Sequence, residues 1–122
     1  MTNRLLIVED EKEAVEVMTE FFEELGFEVQ AANNGQEGLD LLRSFKPQLV
    51  ITDIKMPLMN GEKFLDEVRQ DPSGKSVKVI ITTGFTDGGM TRDRMKQFNV
   101  SAYLEKPVSL DRLEEVVQHL KL

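Results

Sequence analysis

The sequence predicts an α/β domain built on a five-stranded parallel sheet with helices on both faces. Three observations carry this. Strand-like and helix-like stretches alternate five times along the chain. The strand-like stretches include short continuous apolar runs, such as Leu5 to Val8 and Leu49 to Thr52, as expected of strands covered on both faces. The connections are long enough to hold a helix, which parallel neighbours joined by right-handed crossovers require.

The elements follow in order. "RLLIVED" opens with the strand at Leu5 to Val8, and a helix follows from about Glu11 to Leu25. Ala14, Val15, Met18, Phe21, Phe22 and Leu25 recur at helical spacing along it. Gly26 is placed to end that helix in the left-handed conformation. "FEVQAA" is the second strand. Asn34, with Glu37 three residues on, marks a helix start. Leu39, Leu42 and Phe45 form its apolar face, and Pro47 ends it. The third strand is Leu49 to Thr52, and a third helix spans roughly Gly61 to Gln70, burying Phe64, Leu65 and Val68. "DPSGK" is a turn and "VKVIITT" the fourth strand. A weakly amphipathic fourth helix runs near Met90 to Phe98, with Asn99 as a left-handed stop. "SAYLE" is the fifth strand, and Ser109 caps a last helix carrying Leu110, Leu113, Val116, Val117 and Leu120.

Composition narrows the function classes. The chain has 122 residues, 40% hydrophobic and 30% charged, which suits one soluble domain over 1–122. A formal net charge of -7 argues against nucleic acid or an anionic membrane as direct partner. Cysteine is absent, which removes disulfides, thiolate metal sites and a cysteine nucleophile. No apolar run approaches the roughly 20 residues that span a bilayer. The chain enters its first strand almost at once, without a signal pattern, so the expectation is a cytoplasmic protein; a monomer is expected separately.

Sites in open parallel sheets form beyond the carboxyl ends of the strands, at a switch in strand order. Glu9, Asp10 and Glu11 follow strand one, Asp53 follows strand three, Thr82, Thr83 and Gly84 end strand four, and Lys106 and Pro107 follow strand five. If strands one and three are neighbours, Glu9, Asp10 and Asp53 converge. Such an oxygen-rich acidic set suits Mg²⁺. A lysine and a hydroxyl opposite supply a cation and a donor for an anion. An aspartate between the two is placed to attack phosphorus. Singly, each residue has a plainer role: Asp53 as a helix cap, "ED" as favourable charge at a helix start, threonine as a β-former. An aspartyl phosphatase would want an acid/base carboxylate two residues after Asp53, where Lys55 stands. A flavin- or nucleotide-binding domain would want a small-residue phosphate cradle where "EDEKE" stands.

Taken together, "VEDE", "DIKMPLMNG", "TTG" and "YLEKP" resemble the receiver domain of bacterial two-component response regulators, of the single-domain, chemotaxis-regulator-like kind. The resemblance implies a flavodoxin-like sheet of order 2-1-3-4-5. It implies Asp53 as phosphate acceptor, from a sensor histidine kinase or a histidine phosphotransfer protein, with output through a downstream protein target. Mg²⁺ would be held by Asp10, Glu9, Asp53 and the backbone carbonyl of Lys55. Thr83 and Lys106 would bind phosphoryl oxygens, and Tyr103 would move inward with Thr83. Pro57 and Gly61 match the loop after the acceptor, and Lys106–Pro107 matches a cis peptide. Val108 stands where the family often has an aromatic. Phe85 sits at a variable position and is expected to shield the acyl phosphate. Met56, Met59, Met90 and Met95 cluster near the rim as core or partner residues. His119, the single histidine, is expected on the surface at a helix end. A receiver-like scaffold that binds partners without phosphorylation is the alternative function.

Overall fold

Apolar runs that alternate their contacts between two helical layers build the structure, a computed structural model that describes residues 3–55, 60–84, 92–120 and 122. Five strands and five α-helices follow one another: β1 (Arg4–Val8), α1 (Lys12–Glu24), β2 (Glu28–Ala32), α2 (Gly35–Phe45), β3 (Leu49–Asp53), α3 (Gly61–Gln70), β4 (Lys78–Thr83), α4 (Arg92–Phe98), β5 (Ala102–Glu105) and α5 (Leu110–His119). A short 3₁₀ turn, Pro72–Gly74, links α3 to β4. The sheet order is β2-β1-β3-β4-β5 with every pairing parallel. β1 is therefore interior and pairs with both β2 and β3, so the strand order switches between β1 and β3.

Strand alternation divides the core. Leu6, Val8, Val50, Val79 and Ile81 face α2, α3 and Phe98 of α4. Leu5, Ile7, Leu49, Ile51 and Ile80 face Phe22 of α1 with Leu113 and Val117 of α5. Leu5 to Val8 of β1 and Leu49 to Ile51 of β3 are essentially excluded from water on both faces, which explains why these strands read as unbroken apolar runs.

The caps behave as their chemistry dictates. Asn34 and Asn60 accept from the backbone N–H groups of Glu37 and Lys63, both at 2.9 Å, and Ser109 accepts from Arg112 at 3.1 Å. Gly26 and Asn99 adopt φ of 98° and 55° at the ends of α1 and α4. Three details differ from the sequence expectation. α2 ends at Phe45 because Lys46 turns left-handed at φ 53°, before Pro47 is reached. "DPSGK" tightens into the 3₁₀ turn, with Asp71 capping Ser73. Leu25 falls outside α1 and is 43% exposed rather than buried. Met56, Pro57, Met59, Phe85, Met90 and the Met95 side chain lie outside the described residues.

Candidate functional site

Two buried carboxylates and one ammonium meet where the sheet order switches. β3 runs one residue further than its apolar run, so Asp53 is its last residue and is 5% exposed. The carboxylate is held at both oxygens. Oδ1 accepts from the Lys55 backbone N–H at 3.1 Å, and Oδ2 lies 2.7 Å from Lys106 Nζ. The loop that follows is pinned at its far end by Gly61, whose N–H donates to the Ile54 carbonyl at 2.7 Å. A Cβ on Gly61 would stand 2.5 Å from Ile54 Cα, so this closure requires glycine.

Glu9, directly after β1, is 2% exposed, whereas Asp10 is exposed. Glu9 Oε2 lies 3.1 Å from Lys106 Nζ, and its other oxygen accepts from the Glu11 N–H at 3.2 Å. Lys106 thus bridges two carboxylates brought in from two different strands. One carboxylate oxygen from each of Glu9, Asp10 and Asp53 can lie within 4.8 Å of the others. That donor set fits a hard divalent cation such as Mg²⁺.

The electrostatics follow from burial. Desolvation pushes the Glu9 carboxyl above its ordinary pKa, against the pull of the hydrogen bond and charge of Lys106. Burial alone would lower the Lys106 ammonium. The hydrogen bonds and charges of Asp53 and Glu9 outweigh it and hold that pKa above the usual lysine value.

The remaining sequence-predicted residues divide. Thr83 ends β4, is 2% exposed, and pairs in register with Glu105. Its hydroxyl points toward the Gly84 carbonyl at 3.4 Å. Tyr103 is half-buried on β5 and packs against the α2–α3 core. The side chain of Lys55 is exposed, so its backbone is what approaches Asp53. The Lys106–Pro107 peptide is cis. His119 is exposed at the end of α5, with Nδ1 2.9 Å from the Glu115 carbonyl.

Thr82, which the sequence places at the end of β4 without a role of its own, gains a position in the structure. It is the register partner of Asp53 and is 5% exposed. With Glu9 and Lys106 it lines a groove of about 630 Å³. Val17 and Met18 of α1 line one side of the groove, and Val108 and Leu113 line the other. Val108 therefore packs as a half-buried wall where a larger aromatic would fill space. The signal for Thr82 is register, which only the paired strands reveal.

A family model described as the response regulator receiver domain matches residues 5–118. Response regulator Rre1 of Synechocystis sp. is 40% identical over 119 residues, which cover 95% of this chain and 50% of that protein. Polar-differentiation response regulator DivK of Brucella anthropi is 30% identical over 118 residues, covering 97% and 95%. The chain thus spans about half of Rre1, and 54% of the probable transcriptional regulator ycf29 of Pyropia yezoensis. Among solved structures, a response regulator receiver domain protein from Clostridium thermocellum superposes with a TM-score of 0.84 at 30% identity, covering 95% and 91% of the two chains. A CheY-like receiver domain from Methylobacillus flagellatus gives 0.86 at 26% identity, covering 99% and 100%. The acidic pair at the β1 end, the buried aspartate ending β3 and the lysine after β5 are the residues on which the sequence resemblance rests. With the family model spanning nearly every element of the sheet, this chain belongs to the response regulator receiver domains of two-component signalling.

Proposed function

We propose that this chain is a single phosphoacceptor domain over 1–122 that takes a phosphoryl group on Asp53 and thereby switches a protein-binding surface. The observation that carries the reading is Asp53 itself. It is a carboxylate buried at the end of a central strand, 2.7 Å from the Lys106 ammonium and grouped with two further acidic side chains. Burying charge costs desolvation even when it is paired, and such costly clusters concentrate at functional sites.

The donor is a phosphohistidine of a sensor kinase or phosphotransfer protein, because the chain's own histidine lies at the end of α5. An Asp53 oxygen attacks phosphorus, the P–N bond of the phosphohistidine breaks, and the electron pair leaves with the imidazole, whose other ring nitrogen already carries a proton. The products are an acyl phosphate on Asp53 and a neutral histidine on the donor. Lys106 balances charge on one phosphoryl oxygen, and the Thr83 hydroxyl donates to another. Glu9, Asp10, Asp53 and the Lys55 backbone carbonyl would hold Mg²⁺. When bound, that ion supplies positive charge that offsets the crowding of the acidic groups and of the incoming phosphoryl oxygens. Thr83, at the end of β4, and Tyr103, within the neighbouring β5, carry the change toward α4 and β5. The domain turns over only its own phosphate, works as a cytoplasmic monomer and reports to a downstream protein.

Incubation with Mg²⁺ and a small-molecule phosphodonor, followed by intact-mass measurement, tests this. The expected result is one labile phosphate that disappears in Asp53→Asn. A folded, metal-binding protein that never gains the adduct would instead be a receiver-like scaffold. Steady turnover of the donor without a trapped adduct would make it an enzyme.

A further inference from the structure

Arg69, in the last turn of α3, donates to five main-chain carbonyls. Nε donates to the Phe98 carbonyl at 2.7 Å, and Nη2 donates to the Asn99 carbonyl at 3.1 Å. Nη1 reaches the carbonyls of Gly74 and Val77, both at 2.8 Å, and of Lys75 at 3.5 Å. All of these acceptors are main-chain carbonyls. They belong to two places: the end of α4, and the turn that leads from α3 into β4.

The end of a helix leaves carbonyls without intrahelical partners and carries partial negative charge. A planar guanidinium spreads five donors over three nitrogens and can reach carbonyls on two separate segments, whereas an ammonium's three donors radiate from one atom. Asn99 turns left-handed next to them at φ 55°, and Phe98 is 3% exposed in the core. The turn on the other side is itself fixed, because Gly74 sits so close against Val68 that a Cβ there would collide with the Val68 backbone. The carboxyl end of α4 is therefore tied through one side chain to α3 and to the start of β4. Nearer its amino end, α4 meets α3 through Arg94 and Glu62 at 3.3 Å, a bridge with both side chains more than 40% exposed. Such a bridge contributes about 0–1 kcal/mol. The amino end is also the end reached from Thr83 and Gly84, after which the chain leads to α4.

We propose that Arg69 is a positioning residue that fixes the carboxyl end of α4, so that displacement arriving from the acceptor site turns the helix about that end instead of sliding it. The inference rests on the phosphoacceptor reading for the source of the displacement. The clamp itself is a property of the unmodified chain.

Amide hydrogen exchange resolved by segment tests it. In Glu62→Ala, exchange at 92–95 should rise up to about fivefold, with 98–100 unchanged. In Arg69→Met, exchange at 74–78 and at 98–100 should rise together, by roughly tenfold or more, while 61–66 keeps its protection. If Arg69→Met does not fold, Arg69→Lys decides. It keeps the charge but cannot span both sets of carbonyls, so at least one of the two segments must lose protection. With Mg²⁺ and beryllofluoride as phosphoryl mimic, exchange should change at 92–95 and not at 98–100. Equal changes across 92–100 overturn the pivot, and so does unchanged protection in every Arg69 variant. Failure of the beryllofluoride adduct to form would remove the acceptor reading alone, since the variants test the clamp without it.

Discussion

Lys106 and Arg69 are both partly buried cations that tie distant segments together, but their surroundings differ. Lys106 faces two carboxylates, which hold its pKa above the usual lysine value despite burial. Among the described residues Arg69 faces only carbonyl dipoles, and burial pulls its guanidinium below the ordinary arginine value. An ammonium is a point charge on a flexible stem and can exchange one oxygen for another at little geometric cost. A guanidinium fork shared among several carbonyls cannot. The molecule thus places an exchangeable cation where chemistry is proposed and a fixed one where the fold needs an anchor.

The contrast can be broken at several strengths. The largest effect is expected from Lys106→Met, which should slow phosphorylation of Asp53 roughly 10²-fold by removing charge aimed at the phosphoryl oxygens. Phosphotransfer kinetics measure it, and a wild-type rate would reduce Lys106 to a structural pair. Next, Arg69→Met should cost about 2 kcal/mol in urea unfolding while leaving Mg²⁺ affinity unchanged. A loss of metal binding in that variant would erase the division between the two cations.

Glu9→Gln should show its effect in the pH dependence. Burial raises the folded pKa of Glu9 above its ordinary 4.5. The stability linked to that shift is full below the unfolded value and is lost as pH rises through the folded one. Without added metal, the variant should gain on wild type from acid to neutral pH. A variant that loses ground over that range would mean that the Lys106 pairing, not burial, governs Glu9. The smallest effect belongs to a fully surface cation. Arg112→Ala removes an exposed bridge to Glu115 at 2.9 Å and should cost about 0.3 kcal/mol in the same melts.

Much of the candidate site's geometry was legible because parallel topology brings strand ends together whatever the intervening residues are. Asp53, Glu9 and Lys106 needed only the positions of three strands. The caps at Asn34, Asn99 and Ser109 were legible because their chemistry is local. The different fates of Glu9 and Asp10 were not. Adjacent acids read alike, yet one is buried with Lys106 and the other faces solvent. Lys46 gave no warning, since a left-handed lysine has no local signature. Arg69 was invisible for a deeper reason. Its partners at Phe98 and Asn99 lie 29 and 30 residues away and are backbone atoms, so no residue type marks them.

The strand order also has a consequence for assembly during synthesis. With β1 interior, β2 adds on one side and β3, β4 and β5 add outward in turn on the other, so no strand has to be threaded between two already paired. A nascent chain can extend this sheet in the order in which it leaves the ribosome. Lys106 follows the last strand and lies 53 residues beyond Asp53. A chain released before β5 would carry the acidic residues without their ammonium, so the chemistry proposed for Asp53 becomes available only to a chain whose sheet is complete.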